Sequence, residues 1–344
     1  MSQKTTPEAY YALVSTDPQF RGLYDEMHEL EKNVPNSEGL FLSKDAYAKI
    51  TEGFIGLDRL DQIDDTTKFG LVGDLNVMWV HYIWNKTRGI YRFDEDLLES
   101  LVQSRIEYPI PARVFEALPE PCTVIRVPEG YFEERFRYIY AMIERHSGEE
   151  DHLLIVLHDG EDEDLGDQDY AFYSFPFLNS LFDPNNLMSR AEHDASFMSQ
   201  YGEMLKKDRT GHQKKAHQSM QKVIPLLLYM CEYQPDIERV TPEKAIRSDP
   251  GRAIKYSVGN RAGTILRTYK KVYIRDGHLT QSGKQKSPHY RRPYFRIQNY
   301  GPRPKPGEKD QRDKRTIWIH GCFVNKNLIP EEGMPTRNYR YTNY

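Results

Sequence analysis

The hydrophobic pattern changes period along the chain, and its first long stretch is helical. Between Phe69 and Lys86, Leu71, Leu75, Met78, Trp79, Tyr82 and Ile83 recur at the spacing of one helical face, with Asp74, Asn76, His81 and Asn85 on the other. After Gly89, Asp94 is placed to cap a short helix carrying Leu97, Leu98 and Leu101, and Glu95 and Asp96 suit the positive end of its dipole. Pro109 and Pro111 close it. From Pro119 the period shortens. Cys122–Val127 and His152–His158 read as strands, the second apolar on both faces and therefore central. Ala171–Phe177 is a third, with Pro176 marking a sheet edge. Between the first two, Tyr131–Arg145 (YFEERFRYIYAMIER) predicts an amphipathic helix. Two more helices are expected, at Leu187–Lys207 and His212–Glu232, the latter buried toward its all-apolar end.

The last hundred residues mix short strands with basic loops. Lys270–Gly277, Pro293–Tyr300 and Thr316–Val324 are the strand candidates. Gly301–Arg315, rich in Pro, Gly and charge, has the composition of a solvated hairpin connection. The expected fold class is α+β: a helical N-terminal region (1–118), a mixed α/β middle (119–238) and a basic C-terminal region with short antiparallel strands (239–344). At 344 residues, more than one lobe is expected.

Composition narrows the setting. Mean hydropathy is −0.74, and the densest apolar runs fall far short of the roughly 20 residues a spanning helix needs. The N-terminal MSQKTTPEAYY has no apolar core of a secretory signal. Cys122, Cys231 and Cys322 are dispersed and read as buried thiols of a reducing compartment, which makes the cytoplasm the expected location. The net charge of −4 conceals an asymmetry: from Thr241 onward there are 23 Lys/Arg against 8 Asp/Glu, and before it 24 against 43. Either the basic end meets a polyanion, or the two parts neutralise each other internally.

Candidate chemistry is sparse. The acidic stretch Asp159–Asp169 lacks the ligand alternation and central Gly of a calcium loop. The eleven His residues form no zinc spacing, and no nucleophile elbow or phosphate-binding Gly motif is present. No catalytic residue, metal or cofactor is therefore assigned. Val258–Gly263 (VGNRAG) is a tight strand-to-helix junction with Gly259 in a special conformation. The one compact constellation is Pro288–Arg296 (PHYRRPYFR), where paired Arg and interleaved aromatics can grip phosphate or carboxylate and stack on bases. Strand alternation gives it a plainer reading as well. Tyr290, Arg292 and Tyr294 then share one face and Arg291 and Phe295 the other.

The ordered segments Trp84–Leu98 (WNKTRGIYRFDEDLL), Phe115–Cys122, Val223–Ile237, Tyr256–Arg267, Pro288–Phe295 and Thr316–Asn325 together resemble the second family of type V-A anti-CRISPR proteins. Trp84, Gly89, Tyr91, Asp94, His289, Arg291, Arg292, Trp318, Val324 and Asn325 match the family pattern, whereas Pro293-Tyr294-Phe295 stands where members usually read Gly-His-Trp. The resemblance implies a phage or mobile-element protein that lowers production of a type V-A CRISPR effector. It would do so by recognising the effector's nascent N-terminal peptide, with loss of the mRNA. Trp84, Tyr91, His289, Arg291, Arg292, Tyr294, Phe295 and Trp318 become the candidate peptide- or RNA-binding residues. The basic C-terminal region becomes a candidate contact for ribosome or mRNA. Two rival readings stand beside this one: a ribonuclease that cuts the message, and an acidic nucleic-acid mimic that occupies the mature nuclease.

Overall fold

A computed structural model of the chain describes residues 79–132, 136–144, 151–159, 170–184, 209–232, 235–242, 252–272, 289–291, 293–302, 312–319 and 322–324, with a few positions between 7 and 29 and at 244. The expected helix at Leu187–Lys207 and nearly all of the N-terminal region before Trp79 lie outside these residues, as do the acidic stretch after Asp159 and most of the loop between Gly301 and Arg315.

The frame is a mixed sheet of seven strands in the order β6-β5-β4-β3-β1-β9-β8. These are β1 (Gly89–Phe93), β3 (Cys122–Arg126), β4 (Tyr138–Glu144), β5 (His152–His158), β6 (Tyr170–Pro176), β8 (Ile237–Arg239) and β9 (Ile254–Val258). β1 runs parallel to both neighbours, with Tyr91 opposite Ile125 of β3 and Tyr256 of β9. From β3 to β6 the sheet is an antiparallel meander. The sheet draws strands from all three sequence regions.

Side-chain alternation gives this sheet two cores. Tyr91, Phe93, Ile125, Ile139, Leu153, Ile155 and Leu157 point to one face and pack with α1 (Glu95–Val102) and α2 (Arg209–Met230). Ile90, Val124, Tyr138, Tyr140, Met142, Leu154 and Val156 point to the other, against the helical residues 79–84 and Met27. This explains the unbroken apolar run of β5: every one of its residues is buried, at about 1.5–3 kcal/mol for each large aliphatic side chain.

Several sequence expectations hold. Asp94 caps α1 through its carboxylate, which accepts from the amides of Asp96 (3.1 Å) and Leu97 (3.4 Å). β6 is an edge strand. Gly259 has φ +79° and turns the chain from β9 into α3 (Asn260–Val272), whose second amide, from Arg261, is satisfied by the Asp236 carboxylate at 2.7 Å. The apolar end of α2, Val223 to Met230, is wholly buried. A reciprocal pair ties α2 to the loop before β4: Lys222 Nζ donates to the Tyr131 carbonyl (2.7 Å) and the Tyr131 hydroxyl to the Lys222 carbonyl (2.9 Å).

Others fail. The helix expected over Tyr131–Arg145 is strand β4 from Tyr138 on. Its Tyr-Ile-Tyr-Ala-Met run is buried on both faces between β3 and β5, and ladder pairing overrides a pattern compatible with either period. Gly89–Phe93, placed in a helical region, is the parallel heart of the sheet. The strand expected from Lys270 is, as far as Val272, the last turn of α3, whose Ala262 and Leu266 face the core. His81, assigned to a polar helix face, is 2 % exposed because this helical turn is enclosed on all sides.

Candidate functional site

The candidate residues divide between the core and one surface. Trp84 is completely buried, and its indole Nε1 donates to the Gly89 carbonyl at 2.9 Å. Gly89 leaves room for the Glu120 carboxylate, whose oxygens lie 2.3 Å from where a Cβ would stand. That carboxylate accepts from the Thr87 hydroxyl (2.8 Å) and from Tyr91, whose ring stacks on Tyr256 at 4.7 Å. Burial raises the Glu120 carboxyl above its ordinary value, and the Thr87, Tyr91 and Gly89 hydrogen bonds pull the other way. Burial, then Glu120, pushes the Tyr91 hydroxyl up. Burial also raises the Cys122 thiol, so it keeps its proton and is no nucleophile. Trp84 and Tyr91 are thus supports of the sheet's parallel centre.

The C-terminal region forms two hairpin-like pairs. β10 (His289–Arg291) pairs with β13 (Cys322–Val324), setting His289 opposite Val324 and Arg291 opposite Cys322. Arg292 lies outside the described residues. β11 (Tyr294–Tyr300) pairs over seven residues with β12 (Asp313–Ile319). Cross-strand partners share a face, so Phe295 and Trp318 point inward together, 6 % and 4 % exposed. Trp318 meets the Tyr229 ring edge-on at 5.5 Å, donates from Nε1 to Ser104 Oγ at 3.1 Å, and donates its amide to Glu232 at 3.4 Å. The backbone of Phe295 bonds Arg105 just after α1. These contacts fix the hairpin to the α1–α2 core.

By register its opposite face carries Tyr294, Arg296, Gln298 and Tyr300 of β11, across from Ile319, Ile317, Arg315 and Asp313 of β12. The Arg315 guanidinium lies 3.6 Å over the Tyr300 ring, and Arg296 donates to the Gln298 side chain. Tyr300 and Arg315 lie outside the Pro288–Arg296 constellation, and Arg296 closes it without being among the named candidates. The signal was available, as the same alternation that buries Phe295 turns out Arg296 and Tyr300.

A third feature is an open cavity of about 650 Å³ beside the short pair β2 (Ile110–Pro111) and β7 (Leu181–Phe182). Pro111, Phe177 and Leu181 give it apolar walls, and Arg113, Glu116 and Asp151 add charge of both signs. Asn179 and Ser180 on its rim have φ of 52° and 60°, a conformation that costs a residue bearing a Cβ about 1–3 kcal/mol. On the opposite sheet face, His81 and His158 lie 6.1 Å apart with the Tyr140 ring 4.9 Å from His81. Burial holds both imidazoles below their ordinary value, His158 at about 4. Both are neutral at physiological pH and sealed from solvent. Among the described residues, no group of three or more His, Cys, Asp or Glu is arranged to hold a metal ion.

The sequence model of the Anti-CRISPR type V subtype A2 family matches residues 91–326, more than half of the chain. This chain is an AcrVA2-like protein. The solved structure described as "Crystal structure of AcrVA2" has a similar fold, with a TM-score of 0.55 at 16 % identity over 92 % of this chain and 95 % of that one. No curated protein matches the chain. The AcrVA2-like match encloses the β11–β12 hairpin, the cavity and the Tyr91–Glu120 cluster, while Trp84 and the helical residues 79–84 precede it. Among the described residues no helix is long and apolar enough to cross a membrane.

Proposed function

We propose that this AcrVA2-like protein, carried by a phage or mobile element, lowers production of a type V-A CRISPR effector by recognising its nascent N-terminal peptide in the bacterial cytoplasm and bringing about loss of the message. Family membership over residues 91–326 carries this reading. The cavity beside β2 and β7 supports it: about 650 Å³ falls within the range of small-ligand sites, and apolar walls with Arg113, Glu116 and Asp151 suit a short peptide segment. Among the described residues, the His81–His158 pair is buried and neutral, which keeps that pair from acting as acid and base on a message.

The test compares effector mRNA and protein with and without this chain. Synonymous recoding of the first effector codons should leave suppression intact, and altering the encoded peptide should abolish it. Suppression lost on synonymous recoding would overturn peptide recognition in favour of message cleavage. A stable complex with the mature nuclease, at unchanged mRNA, would favour the acidic mimic.

A further inference from the structure

The inward face of the β11–β12 hairpin is consumed by Phe295 and Trp318, so any partner meets the outward one. Along β11 that face alternates Tyr294, Arg296, Gln298 and Tyr300, which sets the two tyrosines about 20 Å apart at the ordinary strand rise. Tyr300 is 50 % exposed although Arg315 covers part of it, and Arg296 is exposed. A large aromatic left half in water on a rigid strand, with guanidinium groups on it and beside it, is an unusual use of surface. Aromatic rings accept any base by stacking, and Arg tracks the phosphates between them. The charge agrees: Arg291–Arg315 holds nine Lys/Arg against three Asp/Glu, within the C-terminal region that carries 23 against 8.

We infer that this outward face is a platform for single-stranded RNA, with Tyr294 and Tyr300 stacking on bases and Arg296 and Arg315 contacting phosphate. The choice of RNA over an acidic protein segment rests on the production-level reading above, which brings the chain to a message being translated. Recognition is sequence-tolerant, because strand-face aromatics stack on every base. The platform would hold the message while another part of the protein examines the peptide.

The full chain is titrated against fluorescently labelled oligouridylate, followed by anisotropy at several salt concentrations. Binding should weaken steeply with salt. Tyr300→Ala should weaken it by about tenfold, Tyr300→Phe should keep it, and Arg296→Ala should also reduce the salt slope by about one. Arg92→Ala, which removes an equal charge from an exposed site on β1, should change nothing. Circular dichroism melts confirm that each variant is folded. Absence of binding at low salt, indifference to both Tyr300→Ala and Arg296→Ala, or equal affinity for duplex RNA would overturn the platform. The recoding experiment tests the production-level reading separately, so either can fail while the other stands.

Discussion

Replacing Gly259 by Ala tests the joint between the sheet and α3. Gly259 sits at φ +79°, and a Cβ there would lie 1.9 Å from Leu97 Cδ2, a side chain with no exposure at all. Two costs add. A left-handed conformation costs a residue with a Cβ about 1–2 kcal/mol. Forcing a buried Leu out of its packing costs a further 1–3 kcal/mol or so. The total is about 2–5 kcal/mol, which urea denaturation would register as a lower midpoint with an unchanged slope. The double variant separates the terms. Leu97→Ala alone should cost about 2–5 kcal/mol by opening a cavity. In Gly259→Ala/Leu97→Ala the clashing atoms are gone, so the two changes should sum to less than their separate costs by about 1–3 kcal/mol. A Gly259→Ala variant within about 0.5 kcal/mol of the parent, or strict additivity in the cycle, would refute this account of the joint.

Three other outcomes follow from buried groups. Trp79, 1 % exposed, should cost about 3–5 kcal/mol as Trp79→Ala, and an unchanged melting temperature would remove its helical turn from the core. Burial lowers the His158 imidazole from 6.5 to about 4, so the unfolded chain takes up a proton in that window and the folded chain does not. Stability should therefore fall by about 3 kcal/mol as pH drops from 6.5 to 4, and His158→Phe should flatten this acid limb; a variant with the parent's slope would count against it. Glu232 has the opposite sign: burial raises it from 4.5 to about 7, against the Trp318 amide bond, so its folded form keeps a proton that the unfolded chain gives up. Stability should decline as pH rises across that interval, and Glu232→Gln should remove this component from a pH series of melts.

Local patterns with a single physical solution were legible in the sequence. Asp94 with two acids behind it can do little but cap a helix, and a glycine between a strand and VGNRAG's helix marks a left-handed turn; both are found as expected. The apolar run of β5 is short and rich in Leu, Ile and Val, which suits a strand buried on both faces, and all seven of its residues are buried. The hairpin between Pro293 and Ile319 was visible from two alternating runs around a polar loop. The six ordered segments carried the family. What the sequence could not decide was everything settled by partners distant in the chain. Tyr138–Glu144 becomes a strand because β3 and β5 each need an inner neighbour, and β1 becomes the parallel centre only once β9, more than 160 residues later, lies beside it. Trp84, Tyr91, Phe295 and Trp318 look alike in the sequence as candidate binding aromatics, yet the sheet and α2 bury all four. Tyr300 and Arg315, unremarkable apart, meet only when β11 and β12 pair. Local preference and periodicity act within a turn or a strand; exposure and juxtaposition are properties of the packed chain, and on them depends which residues can touch a partner.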